Sequence, residues 1–158
     1  MRIPGWLKRI WDGAVRGVLL LAAAGCAYEP AHALGLRQEF WAPITAILVL
    51  QTEMRALRNM ARNQALGGII GGTVALALLL CFGDTLPAYL GAVLLSAVLC
   101  HGLNLEGASQ IAGVTATILM LVPHTETPAM FLLARLSEVG WGICVGAAVA
   151  WLALRRKG

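Results

Sequence analysis

The sequence predicts an all-α, polytopic membrane protein. We expect a bundle of six transmembrane helices, built as a three-plus-three inverted repeat with both ends in the cytoplasm. Three observations lead there. Of 158 residues, 59% are hydrophobic and only 13% charged, against roughly 45–50% and about 25% in soluble domains. Long charge-free runs recur along the chain. The basic residues cluster in alternate segments. Such a surface suits a lipid bilayer, and the excess positive charge (+4) calls for anionic lipid rather than nucleic acid.

Residues 1–12 form an expected interfacial cytoplasmic segment, since Trp6, Leu7, Ile10 and Trp11 fall on one helical stripe between basic residues. The first span is placed at 13–31 around the charge-free stretch 17–28, with Arg16 snorkelling at its end. The basic start followed by LLLAAAGCA also resembles a signal peptide with a lipidated Cys26. Cleavage there would leave five spans and set the basic ends on opposite sides.

The second span is placed at 38–54, around charge-free 40–52, with Glu39 and Glu53 near the head groups. Thirteen residues cover about 20 Å of a hydrocarbon core about 30 Å thick. A single re-entrant element over 17–52 therefore stays open. The firmer spans are 64–82, 87–104, 107–124 and 137–154. They rest on the charge-free runs 63–83, 85–105, 107–125 and 139–154, each near the length that crosses a bilayer. Residues 155–158 are a basic cytoplasmic tail.

With the N-terminus inside, the inner segments hold Arg2, Lys8, Arg9, Arg16, Arg55, Arg58, Arg62, Arg155, Arg156 and Lys157. Only Arg37 and Arg135 lie outside. All the loops are short, so the positive-inside rule applies and requires an even number of spans. The aromatic residues agree: Tyr28, Trp41, Phe82, Tyr89 and Trp141 fall near the outer interface, and Trp6, Trp11 and Trp151 near the inner one.

Cys26, Cys81, Cys100 and Cys144 have no metal-ligand spacing and read as small apolar filler. No metal or cofactor is implied. His32 and His124 fall near the outer face. His101 and Glu106 flank a tight turn at Asn104, where they would meet as a proton-coupling pair; the plainer reading is that both cap a short loop.

The chain also repeats itself. APITAILVL at 42–50 matches AGVTATILM at 112–120, with Ala42, Thr45 and Ala46 recurring as Ala112, Thr115 and Ala116. Pro43 recurs as Gly113, so both copies carry a helix-weakening residue. Gly71 and Val74 recur as Gly142 and Val145. Three helices per copy oblige the second to run inverted, as in many secondary transporters, whose sites lie at such interrupted helices. The hydroxyls of Thr45 and Thr115 either line that site or bond back to their own helices. Gly67/Gly71, Gly68/Gly72 and Gly142/Gly146 are small-xxx-small pairs, expected at close helix contacts.

FWAPITAILVLQTE at 40–53, the basic Arg55–Arg62 segment, LGGIIGG at 66–72 and the closing ARLSEVGWGICVGAAVAWLAL at 134–154 together resemble the membrane domain of the fusaric acid resistance and aromatic acid exporter family. The resemblance implies a proton-coupled, oligomeric exporter of aromatic or other small organic acids in a bacterial inner membrane, and no enzyme. Gln64 stands where the family usually has an arginine. The second half or cytoplasmic domain common in the family does not appear in these residues. The competing reading is therefore an accessory protein or half-transporter that assembles with itself or a partner subunit. The expected substrate path is Trp41, Pro43, Thr45, Gln51, Gly113 and Thr115, with Arg16, Arg62 and Arg135 recruiting the carboxylate.

Overall fold

The computed structural model describes residues 5–33, 40–51, 53–123 and 126–155, and these form six helices. They are α1 (Gly5–Ala33), α2 (Trp41–Val49), α3 (Met54–Phe82), α4 (Leu86–Gly102), α5 (Glu106–Leu121) and α6 (Pro128–Arg155). Arg2, Arg37, Glu39, His124, Arg156 and Lys157 lie outside the described residues.

Three of the helices, α1, α3 and α6, are long and apolar enough to cross a membrane. At 1.5 Å per residue each runs about 42–44 Å, beyond the hydrocarbon core at one or both ends. Of the six expected spans, the second departs most. Helix α2 has nine residues, about 14 Å, and does not reach across. Helices α4 and α5 have 17 and 16 residues.

Several boundaries also move. Helix α1 begins at Gly5 and continues through residue 13 without a break. Helix α3 begins at Met54, so Arg55, Arg58 and Arg62 ride on its first turns rather than in a loop. Helix α6 begins at Pro128, nine residues before the expected start. Thr127 explains this: its side chain meets the Met130 N–H at 3.4 Å, with proline at the first helical position.

The other ends follow local chemistry. Thr85 caps α4 by accepting from the Ala88 N–H at 3.4 Å. Gly83, at φ 72°, ends α3 in the left-handed region that a side chain would strain. Asn104, at φ 55°, makes the α4–α5 turn, a conformation asparagine tolerates.

Two seams hold the bundle together. Helices α3 and α5 run parallel and touch backbone to backbone. A Cβ on Gly67 would lie 2.7 Å from the Ala108 carbonyl oxygen, and one on Gly71 would overlap the Ala112 carbonyl. Helices α2 and α6 do the same. A Cβ on Gly142 would strike the Ala42 carbonyl, and one on Gly146 would come within 2.6 Å of the Ala46 carbonyl. Gly68 and Gly72 face Leu136 and Leu132, joining α3 to α6. Ala23, Ala27 and Ala31 lay α1 on the α2–α6 pair, and Ala88 and Ala92 lay α4 beside α5. Small residues at every seam let dispersion contacts act over long helix surfaces, the main packing force where lipid removes the hydrophobic one.

Arg16 shares a crevice with Gln51, Ala153 and Leu154. Leu57 of α3 packs in one cluster with Leu50 and Ala150. The amino ends of α1 and α3 and the carboxyl end of α6 therefore gather at one end of the bundle, with Lys8, Arg9, Arg16, Arg55, Arg58, Arg62 and Arg155.

Gly71→Ala and Gly142→Ala each force a backbone seam apart. Each should cost about 1–3 kcal/mol, the usual range for overpacking. Gly25→Ala meets nothing within 4 Å and should raise stability by about 0.5–1 kcal/mol, the usual gain of alanine over glycine inside a helix. Thermal unfolding midpoints of the three variants in one detergent check this; equal midpoints would contradict the seam.

Candidate functional site

Helix α6 carries two charged residues within its apolar length. Arg135 is 7% exposed and Glu138 is fully buried. The Arg135 guanidinium lies over the Trp41 ring, 3.6 Å from its centre, a desolvated cation–π contact. Glu138 is three residues further along the same helix, and its charge acts on Arg135. Among the described residues, Nε and Nη1 of Arg135 find no hydrogen-bond partner.

The register of α2 on α6 builds this place. Glu138, Gly142 and Gly146 follow at four-residue steps and share one face of α6. The two glycines of that face lie on Ala42 and Ala46. Since α2 and α6 run parallel, this register puts Glu138 about one turn before Trp41, the first residue of α2. Unpaired N–H groups and the positive end of the helix dipole favour a carboxylate at that end.

On its other side Trp41 closes an open cleft of about 640 Å³ between α4 and α5. Val93 and Ala97 form one wall, and Ser109, Gln110, Gly113 and Thr117 lie along the other. Thr117 Oγ1 donates to the Gly113 carbonyl at 2.8 Å and lies 3.4 Å from the Tyr89 hydroxyl. Ser109 Oγ donates to the Glu106 carbonyl at 2.7 Å. The cleft thus offers an apolar slot with a few hydroxyl and amide groups and an aromatic end wall backed by a cation. That matches the general make-up of a small-molecule site.

Of the residues expected from sequence, the structure brings Trp41, Gly113 and Arg135 to this region. Thr45 and Thr115 are buried in the seams rather than in the cleft. Thr45 faces Gly142, and Thr115 shares the buried side of α5 with Ala108 and Ala112. Pro43 breaks nothing, because it stands in the first turn of α2, where N–H groups have no intrahelical partner anyway. Gln51 donates to the Leu48 carbonyl at 2.9 Å and lines the smaller crevice with Arg16, at the basic end. Arg62 is exposed on α3. His101 turns Nδ1 to the Ala97 carbonyl, 3.0 Å away. No hydrogen bond or ion pair joins it to Glu106 among the described residues. The four cysteines are free.

Sequence reading missed Glu138, Ser109, Gln110 and Thr117. It also set Arg135 outside the last helix. A usable signal was present: Thr127–Pro128 is a helix start. Starting α6 there adds Arg135 to Glu138, which the expected span 137–154 already held, inside a membrane helix, where ionisable residues are rare.

A family model described as fusaric acid resistance protein-like matches residues 17–152. The chain belongs to that family. Membership in the fusaric acid resistance protein-like family marks it as a membrane transport-related protein. The match runs from α1 to the last turn of α6 and takes in the Trp41 cleft and both buried charges. No curated protein and no solved structure matches the chain.

Trp41→Ala removes both the end wall of the cleft and the ring beneath Arg135. It should destabilise the fold by about 2–4 kcal/mol, and Trp41→Phe by clearly less. Unfolding midpoints in detergent test the ordering. Equal losses for both variants would detach Arg135 from the ring.

Proposed function

We propose that the protein is a secondary transporter that exports small organic acids, aromatic ones among them, across a bacterial inner membrane with proton coupling. The observation that carries this reading is Arg135 on the Trp41 ring at the end of the α4–α5 cleft. A planar aromatic acid has two parts, an apolar ring and a carboxylate. The slot walls and Trp41 suit the ring, and the guanidinium, with nitrogens still unbonded among the described residues, suits the carboxylate. The basic end of the bundle would face the cytoplasm by the positive-inside rule, which sets both termini there.

The three-plus-three inverted repeat belongs to the same proposal. Its support is the likeness of the two seams. Gly71 lies over Ala112 as Gly142 lies over Ala42, and these partners are 71 and 70 residues apart. Two like halves of opposite direction can exchange conformations about a central site, as alternating access requires.

A second reading is favoured by the openness of the cleft. Its α4 side continues into Leu90, Leu94 and Val98, all more than half exposed. A second copy or a partner subunit seated along α4 would close it, and the chain would then act as half of a transporter. Cross-linking of single-cysteine variants at Leu94 in native membranes distinguishes a paired from a lone chain.

Reconstituted into liposomes loaded with radiolabelled benzoate, the protein should release the acid faster than empty liposomes do. Arg135→Gln should lower that rate at least about tenfold, the effect of one lost charge-assisted contact of roughly 1.4 kcal/mol or more. Gly113 faces open space, with Val93 at 3.8 Å from an added Cβ. Gly113→Leu should therefore keep the fold and block flux by filling the slot. Full flux in both variants would place the path elsewhere.

A further inference from the structure

We infer that the crevice between Arg16 and Gln51 binds one anionic phospholipid: Arg16 and the Gln51 amide hold its phosphate, and its chains lie on the apolar flanks of α1 and α6. The inference rests on the chain lying in a membrane, and not on what the chain carries.

The argument begins with where three apolar stretches stop. The charge-free run 17–28 has Arg16 at its edge, 40–52 has Glu53 and 139–154 has Arg155. The fold brings these three edges to one place. The crevice is lined by Arg16 of α1, by Leu50 and Gln51 at the end of α2, and by Ala150, Ala153 and Leu154 of α6. A change from apolar to charged surface at one level on three helices marks the head-group layer of a bilayer. Trp151 stands at the same level, with the Arg155 guanidinium 3.9 Å from its ring centre. Tryptophan is enriched at that interface. The crevice therefore lies at the depth of lipid phosphates.

Its make-up fits a phosphate. The free space is about 40 Å³, room for roughly three waters. That takes the oxygens of one phosphate, whereas the ring of an aromatic acid needs a space such as the cleft of about 640 Å³ at Trp41. Arg16 is exposed. Among the described residues it makes no hydrogen bond or ion pair, although Asp12 stands one turn before it. Its planar fork matches phosphate oxygens in pairs. Gln51 spends one N–H of Nε2 on the Leu48 carbonyl and has a second to donate.

The remaining wall is apolar, and it selects a lipid over a dissolved ion. A free phosphate gives up water against leucine and alanine for one guanidinium and one amide. A phosphodiester in the bilayer already stands at this depth, and its chains keep it there. Val15 and Val18 flank Arg16, and Leu152 precedes Ala153; all three are exposed and continue the apolar surface away from the crevice. The wider field has the right sign. Lys8, Arg9, Arg55, Arg58 and Arg155 share this end, and they outnumber Asp12 and Glu53. A lipid held here joins α1 to the α2–α6 pair.

The test is native mass spectrometry of the whole chain in a neutral detergent. It is titrated with phosphatidylglycerol, or with phosphatidylcholine of the same chains, whose choline offsets the phosphate charge. One phosphatidylglycerol should bind about tenfold tighter than phosphatidylcholine or better, the effect of a charge-assisted contact. It should also raise the unfolding midpoint. R16Q should remove the preference. R9Q, which takes a charge from the same end outside the crevice, should keep most of it. A153F fills the space without touching charge and should also remove the preference. Should A153F not fold, Q51L, which deletes the second donor, should weaken phosphatidylglycerol binding severalfold. Equal affinities of the wild type for the two lipids overturn the inference. So does an equal loss in R9Q and R16Q, which makes the attraction diffuse. Displacement of the lipid by inorganic phosphate or glycerol phosphate assigns the crevice to a dissolved anion, and displacement by benzoate assigns it to an organic acid. Either result also overturns the inference.

Discussion

The structure depends on two places where helices meet with no side chain between them. Gly67 and Gly71 let α3 lie against the carbonyls of α5, and Gly142 and Gly146 let α6 lie against those of α2. In lipid, a leucine surface gains nothing by leaving lipid for another leucine surface. Association has to come from closeness, which glycine and alanine permit. Once the seams are fixed, the rest follows. Leu132 and Leu136 can reach the third glycine face on α3, α1 and α4 settle in outer positions, and the short α2 is held by α6 rather than by its own length.

That last consequence is where packing becomes chemistry. A nine-residue helix cannot satisfy its own ends in a membrane. Its first residue, Trp41, instead lies under Arg135. The Trp41 ring and the charge of Glu138 both act on the Arg135 guanidinium and temper a burial that a lone arginine in an apolar helix would not tolerate. The cleft between α4 and α5 reaches Trp41, the residue that carries the Arg135 guanidinium.

Much of this was legible in the sequence, and the failures have physical reasons. All-helical architecture followed from composition and the charge-free runs, and the close-packed helix faces from the glycine spacing. The ends of helices were not legible where charge was used to mark them. Arg55, Arg58 and Arg62 read as a loop, yet an arginine is an adequate helix former and its charge reaches water from the first turns of a long helix. Arg135 and Glu138 cut a charge-free run short and hid nine residues of α6. Charge marks a boundary only when it is solvated, and Arg135 and Glu138 are buried inside α6 instead. The cleft residues Ser109, Gln110 and Thr117 were illegible for another reason. They are ordinary helix residues, and only the placement of α4 beside α5 gives them a common surface.

The proposed repeat sharpens what is special about one half of the molecule. The position corresponding to Arg135 in the first half is Gln64, that corresponding to Glu138 is Gly67, and that corresponding to Trp41 is Ile111. Gln64 is buried as Arg135 is, but neutral. Gly67 lets the α3–α5 seam continue one turn further, where Glu138 would otherwise stand, and Ile111 packs against it. The first half thus uses these three positions to close a seam, and the second half uses them to hold charge. On the proposed transporter reading, a charged cluster beside only one of two similar seams would give a single ligand position, and the glycine-closed seam would be the body against which the charged half moves.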